Sequence, residues 1–173
     1  MRNIHIFLAS SKELLRERIK IKAFASTLNE FLIPLDILVS VVAWEEMDSH
    51  LTHHGSQKEY DSRLVQCDVF LVLYGMVRGE FTLHETQCAL QKFQQFGYPK
   101  LCCLFDLRKT NIEVIDEIRL TLGKDYTYNE FSNDIQLYTQ IIKVLKPLIN
   151  RDSLLITEDS KFIRVMGNNI LKL

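Results

Sequence analysis

The residue pattern places one carboxylate, Glu85, where a small ligand would bind in an open parallel sheet. The apolar run at residues 69–73 predicts a buried strand, and a loop between Gly75 and Gly79 separates this strand from a helical pattern. Glu85 lies in the first turns of that helix, one turn after Phe81. Ligands bind beyond the carboxyl ends of such strands. The alternative interpretation is a solvated glutamate that favours a helix N-terminus.

Five repeats of strand followed by helix surround this stretch. Hydrophobic periodicity predicts strands at residues 3–9, 35–43, 69–74, 100–105 and 126–128, and helices at residues 12–31, 57–66, 112–122 and 132–149 besides the one that carries Glu85. Right-handed crossovers between such repeats give a parallel sheet with helices on both faces. We therefore predict an α/β, flavodoxin-like fold with strand order 2-1-3-4-5 and a switch point between strands 1 and 3.

The end of the first strand forms the second half of the predicted site. Ser10 and Ser11 follow it directly, and Ser10 with Glu13 three residues later has the pattern of a helix-capping box. The same hydroxyl and N–H groups could hold a ligand phosphate, and the residues leave both interpretations open. Because strands 1 and 3 are neighbours in the predicted order, Ser10 and Glu85 are expected to face one cleft. Ser132 is predicted to cap the last helix.

Composition limits the classes of function. The chain has 173 residues, a formal net charge of -1 and a pI of about 6.5. This length suits one domain with a core, and the charge lacks the basic excess of a nucleic-acid binder. No apolar stretch reaches transmembrane length, and residues 1–9 lack the sections of a signal peptide. We expect a cytoplasmic protein with no direct nucleic-acid partner and no membrane partner.

The four cysteines and a histidine cluster form no recognisable metal or disulfide motif. The cysteines are predicted to be buried small hydrophobes: Cys67, Cys88, Cys102 and Cys103. The histidines lie in a polar loop without acidic or cysteine partners at ligand spacing, and we predict no metal site there: His50, His53 and His54. The glycine motifs of dinucleotide and P-loop sites are absent, and so are Ser/His/Asp and Cys/His nucleophile arrangements.

Several short blocks occur in order between residues 3 and 149. They are residues 6–18 (Ile-Phe-Leu-Ala-Ser-Ser-Lys-Glu-Leu-Leu-Arg-Glu-Arg), 44–45 (Trp-Glu), 59–60 (Glu-Tyr), 67–70 (Cys-Asp-Val-Phe), 81–85 (Phe-Thr-Leu-His-Glu) and 97–100 (Gly-Tyr-Pro-Lys). Through these blocks the chain resembles the TIR (Toll/interleukin-1 receptor) domain family. It is most similar to the bacterial branch that begins with an Ala-Ser-Ser-x-Glu-Leu motif.

The resemblance implies an enzyme that cleaves NAD+ at the nicotinamide–ribose bond. In enzymatic members of the family, a glutamate in the helix after strand 3 is catalytic, and by position that role falls on Glu85. The products would be nicotinamide and ADP-ribose or a cyclic isomer, with NAD+ as substrate and no cofactor. Self-association through TIR–TIR contacts and a role in bacterial antiviral defence are also implied. The chain has Phe81-Thr82 where many relatives have Trp-Cys, and His84 where its branch often has an acidic residue.

The chemistry fits a site with one carboxylate. Cleavage of a ribosyl bond passes through an oxocarbenium-like state that a nearby carboxylate stabilises. Ordinary glycosidases need a second, protonated carboxyl group for the leaving group. The nicotinamide ring of NAD+ is already cationic and leaves neutral, so one glutamate is sufficient. Glu80 is the rival carboxylate, and its place in the loop predicts a solvent-facing side chain.

Seven further residues are predicted to contact substrate: Ser10, Ser11, Trp44, Tyr74, Gly75, Arg78 and Phe81. Trp44 either packs half-buried or stacks on a ligand base. Arg78 is either solvated or meets the diphosphate.

Residues 1–150 are predicted to form the TIR-like domain, and residues 151–173 a tail that is a β-hairpin or a linker. Two other functions stay open. One is a non-enzymatic TIR-type adaptor, in which the long polar loop at residues 44–56 mediates assembly and Glu85 is incidental. The other is an enzyme resembling the nucleoside deoxyribosyltransferases, which have a similar fold and also use a glutamate.

Overall fold

The structure of the chain is a computed structural model. It describes residues 1–43, 64, 66–77, 79–123, 126, 128–149, 156–158, 162–165 and 168–172. Among these residues, no helix is long and apolar enough to cross a membrane.

Five parallel strands form the main sheet, in the order β2-β1-β3-β4-β5. They are β1 (Arg2–Ser10), β2 (Ile37–Ala43), β3 (Val69–Tyr74), β4 (Lys100–Asp106) and β5 (Tyr128–Phe131). The predicted fold and strand order are confirmed. The central strand β3 is buried at all six positions, which explains its uninterrupted apolar sequence.

Within the described residues, four longer helices pack on these strands: α1 (Leu15–Leu32), α2 (Glu80–Phe96), α3 (Ile112–Leu122) and α4 (Asp134–Leu145). Short 3-10 turns at Lys12–Leu14 and Ile33–Leu35 flank α1. The helix predicted at residues 57–66 lies almost wholly outside the described residues, of which Leu64 and Gln66 are helical.

Alternating residues of β1 divide the interior into two cores. Ile4, Ile6 and Leu8 pack with apolar residues of α1 and α4 on one face of the sheet. Phe7 and Ala9 pack on the other face with residues of β3, α2 and α3. This period of two follows from strand geometry, and it puts helices on both faces as predicted.

The predicted fifth strand is shifted. It was expected at residues 126–128, and β5 instead begins at Tyr128 and ends at Phe131. Only Phe131 of this edge strand is buried, while Asn129 and Glu130 are at least partly exposed. An edge strand with one buried side chain carries little hydrophobic periodicity, so its limits were poorly marked in the sequence.

Both predicted helix caps are wrong. Ser10 ends β1 and caps no helix, and the 3-10 turn after it begins without a side-chain cap. The N-cap of α4 is Asn133, whose side chain accepts a hydrogen bond from the Gln136 N–H at 2.9 Å. Ser132 instead donates to the Gln136 side chain through its own N–H and hydroxyl. An asparagine and a serine in adjacent positions fit an N-cap equally well in sequence.

Residues near the C-terminus form a second, antiparallel sheet in the order β6-β7-β8. Its strands are β6 (Ile156–Glu158), β7 (Phe162–Val165) and β8 (Asn168–Lys172). Strands β7 and β8 pair as a hairpin, and β6, which was not predicted, adds to the other side of β7. The division at residue 150 stays a prediction.

We predict that Asn133→Ala lowers the free energy of unfolding by about 1 kcal/mol, because the first turn of α4 loses its capping acceptor. Ser132→Ala is the matched control, and its loss of an exposed hydrogen bond should cost less than about 0.5 kcal/mol. Urea denaturation of both variants measures the difference. Equal destabilisation by the two substitutions would contradict the assignment of the cap.

Candidate active site

The candidate site lies where β1 and β3 run side by side and their connections diverge. Ser10 pairs with Leu73 at the carboxyl ends of these strands. The chain leaves β1 toward α1 on one face of the sheet and leaves β3 toward α2 on the other. In open parallel sheets the usual ligand position is the crevice at such a divergence, here the one between β1 and β3.

Glu85 lies on the inner face of α2. The helix buries a stripe made of Thr82, Glu85, Thr86, Ala89 and Leu90, with the spacing of one helical face. Only 8% of Glu85 is exposed, although it carries a carboxylate. The alternative of a solvated glutamate does not fit this burial, and the catalytic role of Glu85 stays a prediction.

A chain of hydroxyl groups lies beside Glu85. Thr86 Oγ1 donates to the Thr82 carbonyl oxygen at 2.7 Å, and Tyr74 Oη lies 2.7 Å from Thr86 Oγ1. A hydroxyl group has one hydrogen, so Tyr74 must be the donor to Thr86. Burial raises the pKa of Tyr74, and the nearby negative charge of Glu85 acts in the same direction. Tyr74 is therefore a neutral donor that fixes the second turn of α2.

This placement argues against the predicted contact of Tyr74 with substrate. Its side chain is fully buried, its ring stacks on Phe105 with 5.4 Å between centroids, and its hydroxyl is bound to Thr86. Tyr74 supports the helix that carries the carboxylate.

The two serines point to opposite faces of the sheet. Ser10 follows Leu8 in the strand alternation and lies on the face of α1, where the buried Arg18 donates through Nη1 to Ser10 Oγ. The same Nη1 donates to the Ser11 carbonyl oxygen at 2.8 Å. Ser10 therefore lies on the side of α1, because residues of one parity in β1 share a face. That Ser10 and Glu85 face one cleft stays a prediction.

Ser11, rather than Ser10, lies next to the start of α2. A β-carbon at Gly79 would be 3.6 Å from Ser11 Cβ and 3.1 Å from Thr82 Oγ1. Gly79 also has a φ of 63°, a value that favours glycine. Ser11 Oγ is buried without a hydrogen-bond partner among the described residues. A polar group of this kind suits a ligand hydroxyl.

The exposed Glu13 contacts the loop after β3, which the sequence did not reveal. Its Oε1 accepts a hydrogen bond from the Val77 N–H at 3.2 Å. A β-carbon at Gly75 would lie 3.0 Å from the same oxygen and 3.2 Å from Leu14. The absence of a side chain at Gly75 thus leaves space for the side chains of Glu13 and Leu14. The predicted role of Gly75 in substrate binding stays a prediction.

A group of charged residues at the ends of β4 and α1 was also missed. Asp106 is fully buried and accepts two bonds of 2.7 Å from Arg108, through Nε and Nη2. Arg108 Nη2 lies 3.3 Å from Glu17 Oε1, and Lys109 Nζ lies 3.0 Å from Glu17 Oε2. The sequence signal for this charged group is an aspartate at the end of a buried strand, followed by Leu-Arg-Lys.

The loop that follows β4 also contacts the end of β3. Thr110 Oγ1 lies 2.9 Å from the carbonyl oxygens of Tyr74 and Asp106, which share its one hydrogen. Lys109 Nζ also reaches the Glu13 carbonyl oxygen at 3.4 Å. The paired charges at Asp106 therefore fix the peptide from which the Gly75 loop departs.

Three predicted contact residues lie outside the described part of the chain, either wholly or in their side chains. Trp44 and Arg78 lie outside the described residues, as do His50, His53 and His54. Phe81 belongs to the first turn of α2, and its side chain is likewise outside the description. Among the residues that are described, no three His, Cys, Asp or Glu side chains are grouped to hold a metal ion.

All four cysteines are free thiols. Three of them are buried, as predicted, and burial raises the pKa of Cys67 and of Cys103 to about 12. Cys88 differs, because it is only half-buried. It lies one turn after Glu85, with its Sγ 3.5 Å from His84 Nε2.

Two hollows of the described chain lie away from Glu85. One, of about 350 Å³, is near the amino end of β4, and the other, of about 180 Å³, borders β1 and β2. The described side chains that line them include lysines, a histidine and apolar groups, and no carboxylate. Glu85 lines neither of these two hollows.

The likeness of the chain to known proteins is one of fold. The sequence matches no described protein family and no curated protein. Among solved structures, the chain is similar to the CMP N-glycosidase BcmB of Clostridium botulinum, with 15% sequence identity and a TM-score of 0.50. The alignment covers 79% of this chain and 97% of that one. At this identity the likeness establishes a shared α/β fold alone.

We predict that Asp106→Asn lowers the free energy of unfolding by about 2–3 kcal/mol, because it removes the fully buried charge that accepts two hydrogen bonds from Arg108. The control is Asp116→Asn, which removes one charge from an ion pair in which the aspartate side chain is 60% exposed. That change should stay within about 0.5 kcal/mol of wild type. Thermal and urea unfolding measure both, and a neutral Asp106→Asn would refute the structural role of this pair.

Proposed function

We propose that the protein hydrolyses the N-glycosidic bond between a ribosyl group and a base, with Glu85 as the catalytic carboxylate. NAD+ is the first substrate to test, and the bond is the one between nicotinamide and ribose. The observation that carries the proposal is the burial of Glu85 on the inner face of α2, the helix that follows β3 at the switch point between β1 and β3. Ligands of open parallel sheets bind in this position.

The charge of Glu85 would act on the transition state. As the bond from C1′ to nitrogen breaks, both electrons go to the base and positive charge develops on the ribose ring. A carboxylate within a water-poor site stabilises this charge more strongly than the same group in water. Water then attacks C1′ and loses a proton, which gives the hydroxyl group of the product.

A site that acts through the one carboxylate of Glu85 favours a leaving group that needs no proton. Nicotinamide leaves NAD+ as a neutral molecule and requires no acid. This fits a site with a single carboxylate, and it supports NAD+ ahead of substrates with neutral bases.

A second candidate is a nucleoside or nucleotide glycosidase that acts on a neutral base, as an enzyme resembling the nucleoside deoxyribosyltransferases would. The fold shared with a CMP N-glycosidase favours it. A neutral base would need a proton donor in addition to Glu85. The two candidates separate when NAD+ and CMP are offered to the same preparation and release of free base is measured.

The family resemblance to TIR domains supports two further parts of the proposal. One is activity in the cytoplasm, as part of antiviral defence. The other is self-association, with the polar loop at residues 44–56 as the contact; this loop lies outside the described residues. If the assembled protein cleaves neither NAD+ nor CMP, the non-enzymatic adaptor replaces the enzyme as the proposed function.

We predict that Glu85→Gln lowers the rate of NAD+ cleavage about a hundredfold to a thousandfold, because the amide keeps the shape of the side chain and removes its charge. Chromatographic separation of nicotinamide from NAD+ measures the rate. Melting temperatures of wild type and variant show whether both are folded at the assay temperature.

Glu80→Gln is the control, since it removes the same charge from the first turn of the same helix. Most of the wild-type activity should remain in this variant. Wild-type rates in folded Glu85→Gln protein would exclude Glu85 as the catalytic residue.

We predict that activity rises more steeply than in proportion to protein concentration, because self-association would complete the active site. The specific activity is measured over a range of concentrations, with light scattering of the same samples. A constant specific activity from a chain that stays monomeric would contradict this prediction.

A further inference from the structure

A hollow of about 350 Å³ lies at the amino end of β4, whereas the candidate active site is assigned to the carboxyl ends of the strands. Its volume falls within the range of about 300–1,000 Å³ that is typical of small-molecule sites. Residues from four elements line it, among them Phe93 of α2, Leu122 of α3, Val144 of α4 and Leu101 of β4. The proposed cleavage makes no use of this hollow.

The hollow follows from a difference in length between two neighbouring strands. β4 has seven residues and β5 has four, and β5 pairs with Cys103 to Asp106 of β4. Within the described chain, Lys100 and Leu101 at the start of β4 therefore have no neighbouring strand on that side. Side chains near them are left without the packing that a longer edge strand would give.

The walls of the hollow are apolar or aromatic and only half-buried. Four such side chains line it, each partly exposed to solvent: Phe93, Leu101, Tyr126 and Val144. The rings of Phe93 and Tyr126 meet edge to face, with 6.0 Å between their centroids. A ligand with an apolar body would remove this surface from water, which is favourable.

Two cations border the same hollow. Lys100 and Lys143 are exposed and both line it, and neither has an ion pair or a side-chain hydrogen bond within the described chain. By contrast, Lys109 near the other end of β4 lies 3.0 Å from the Glu17 carboxylate. No aspartate or glutamate is among the described residues that line the hollow, so the charge of these residues is positive.

We propose that this hollow is a binding site for a small organic anion with an apolar body, such as an aromatic carboxylate. The apolar walls hold the body, and the ammonium groups of Lys100 and Lys143 bind the carboxylate. A cationic ligand would meet two like charges, and a wholly polar ligand would leave the apolar walls in contact with water. This second site does not depend on the cleavage proposed for Glu85.

Two fluorescent probes test the site, because they share an aromatic body and differ in charge. Anilinonaphthalene sulfonate is an anion, and phenylnaphthylamine is its uncharged analogue. Fluorescence titration of wild type should give one saturable site per chain for the sulfonate, from which the amine is displaced. Lys100→Gln and Lys143→Gln should each raise the Kd of the sulfonate about twofold to fivefold and leave the Kd of the amine unchanged.

Lys12→Gln is the matched control. Lys12 is an exposed lysine in the turn after β1, and its replacement makes the same change in net charge. It should leave the Kd of both probes unchanged, and melting temperatures show that all variants are folded. The proposal is overturned if folded wild type does not saturate with the sulfonate, or if Lys12→Gln weakens its binding as much as Lys100→Gln and Lys143→Gln do. Equal weakening of both probes by these two variants would also overturn it.

Glu85→Gln separates this site from the candidate active site. Because Glu85 does not line the hollow, this variant should bind both probes with the Kd of wild type. Tighter binding of the sulfonate would place the probe beside Glu85, where a negative charge has been removed, and would overturn the proposal. The titrations need no turnover, so absence of NAD+ or CMP cleavage would count against the proposed hydrolysis alone.

Discussion

The parallel pairing of β1 with β3 is the constraint on which the site depends. These strands are adjacent in space although β2 lies between them in sequence, and their following helices leave toward opposite faces of the sheet. In open parallel sheets this divergence gives the ligand position, and no side chain is needed to create it. Side chains then decide the chemistry, and Glu85 is the buried carboxylate of the helix that follows β3.

Buried polar contacts between the end of β3 and α2 hold the helix that carries Glu85 in place. Tyr74 donates to Thr86, Thr86 donates to the backbone of Thr82, and Thr110 holds the carbonyl oxygen of Tyr74. Each contact binds a group that would otherwise be buried without a partner, which is costly. The network therefore both stabilises the fold and limits the positions that the carboxylate can take, as a preorganised electrostatic site requires.

The sequence predicted the sheet and the inner position of Glu85 because both depend on hydrophobic periodicity within a single element. The contacts of Ser10 and Glu13 could not be predicted in this way. A serine followed three residues later by a glutamate reads as a capping box, yet here each side chain binds a different part of the fold. The partner of Ser10 depends on strand pairing, and the partner of Glu13 depends on the absence of a side chain at Gly75. Neither can be predicted from the sequence pattern within one element.

The distribution of thiols offers experimental access to the helix that carries Glu85. Cys67, Cys102 and Cys103 are buried, whereas Cys88 is half-buried and one turn from the carboxylate. An alkylating fluorophore or spin label would therefore react at Cys88 in preference to the three buried thiols, with no engineered cysteine required. A reporter attached there would sense changes in polarity and mobility beside the crevice, and so register occupancy of the site without any turnover.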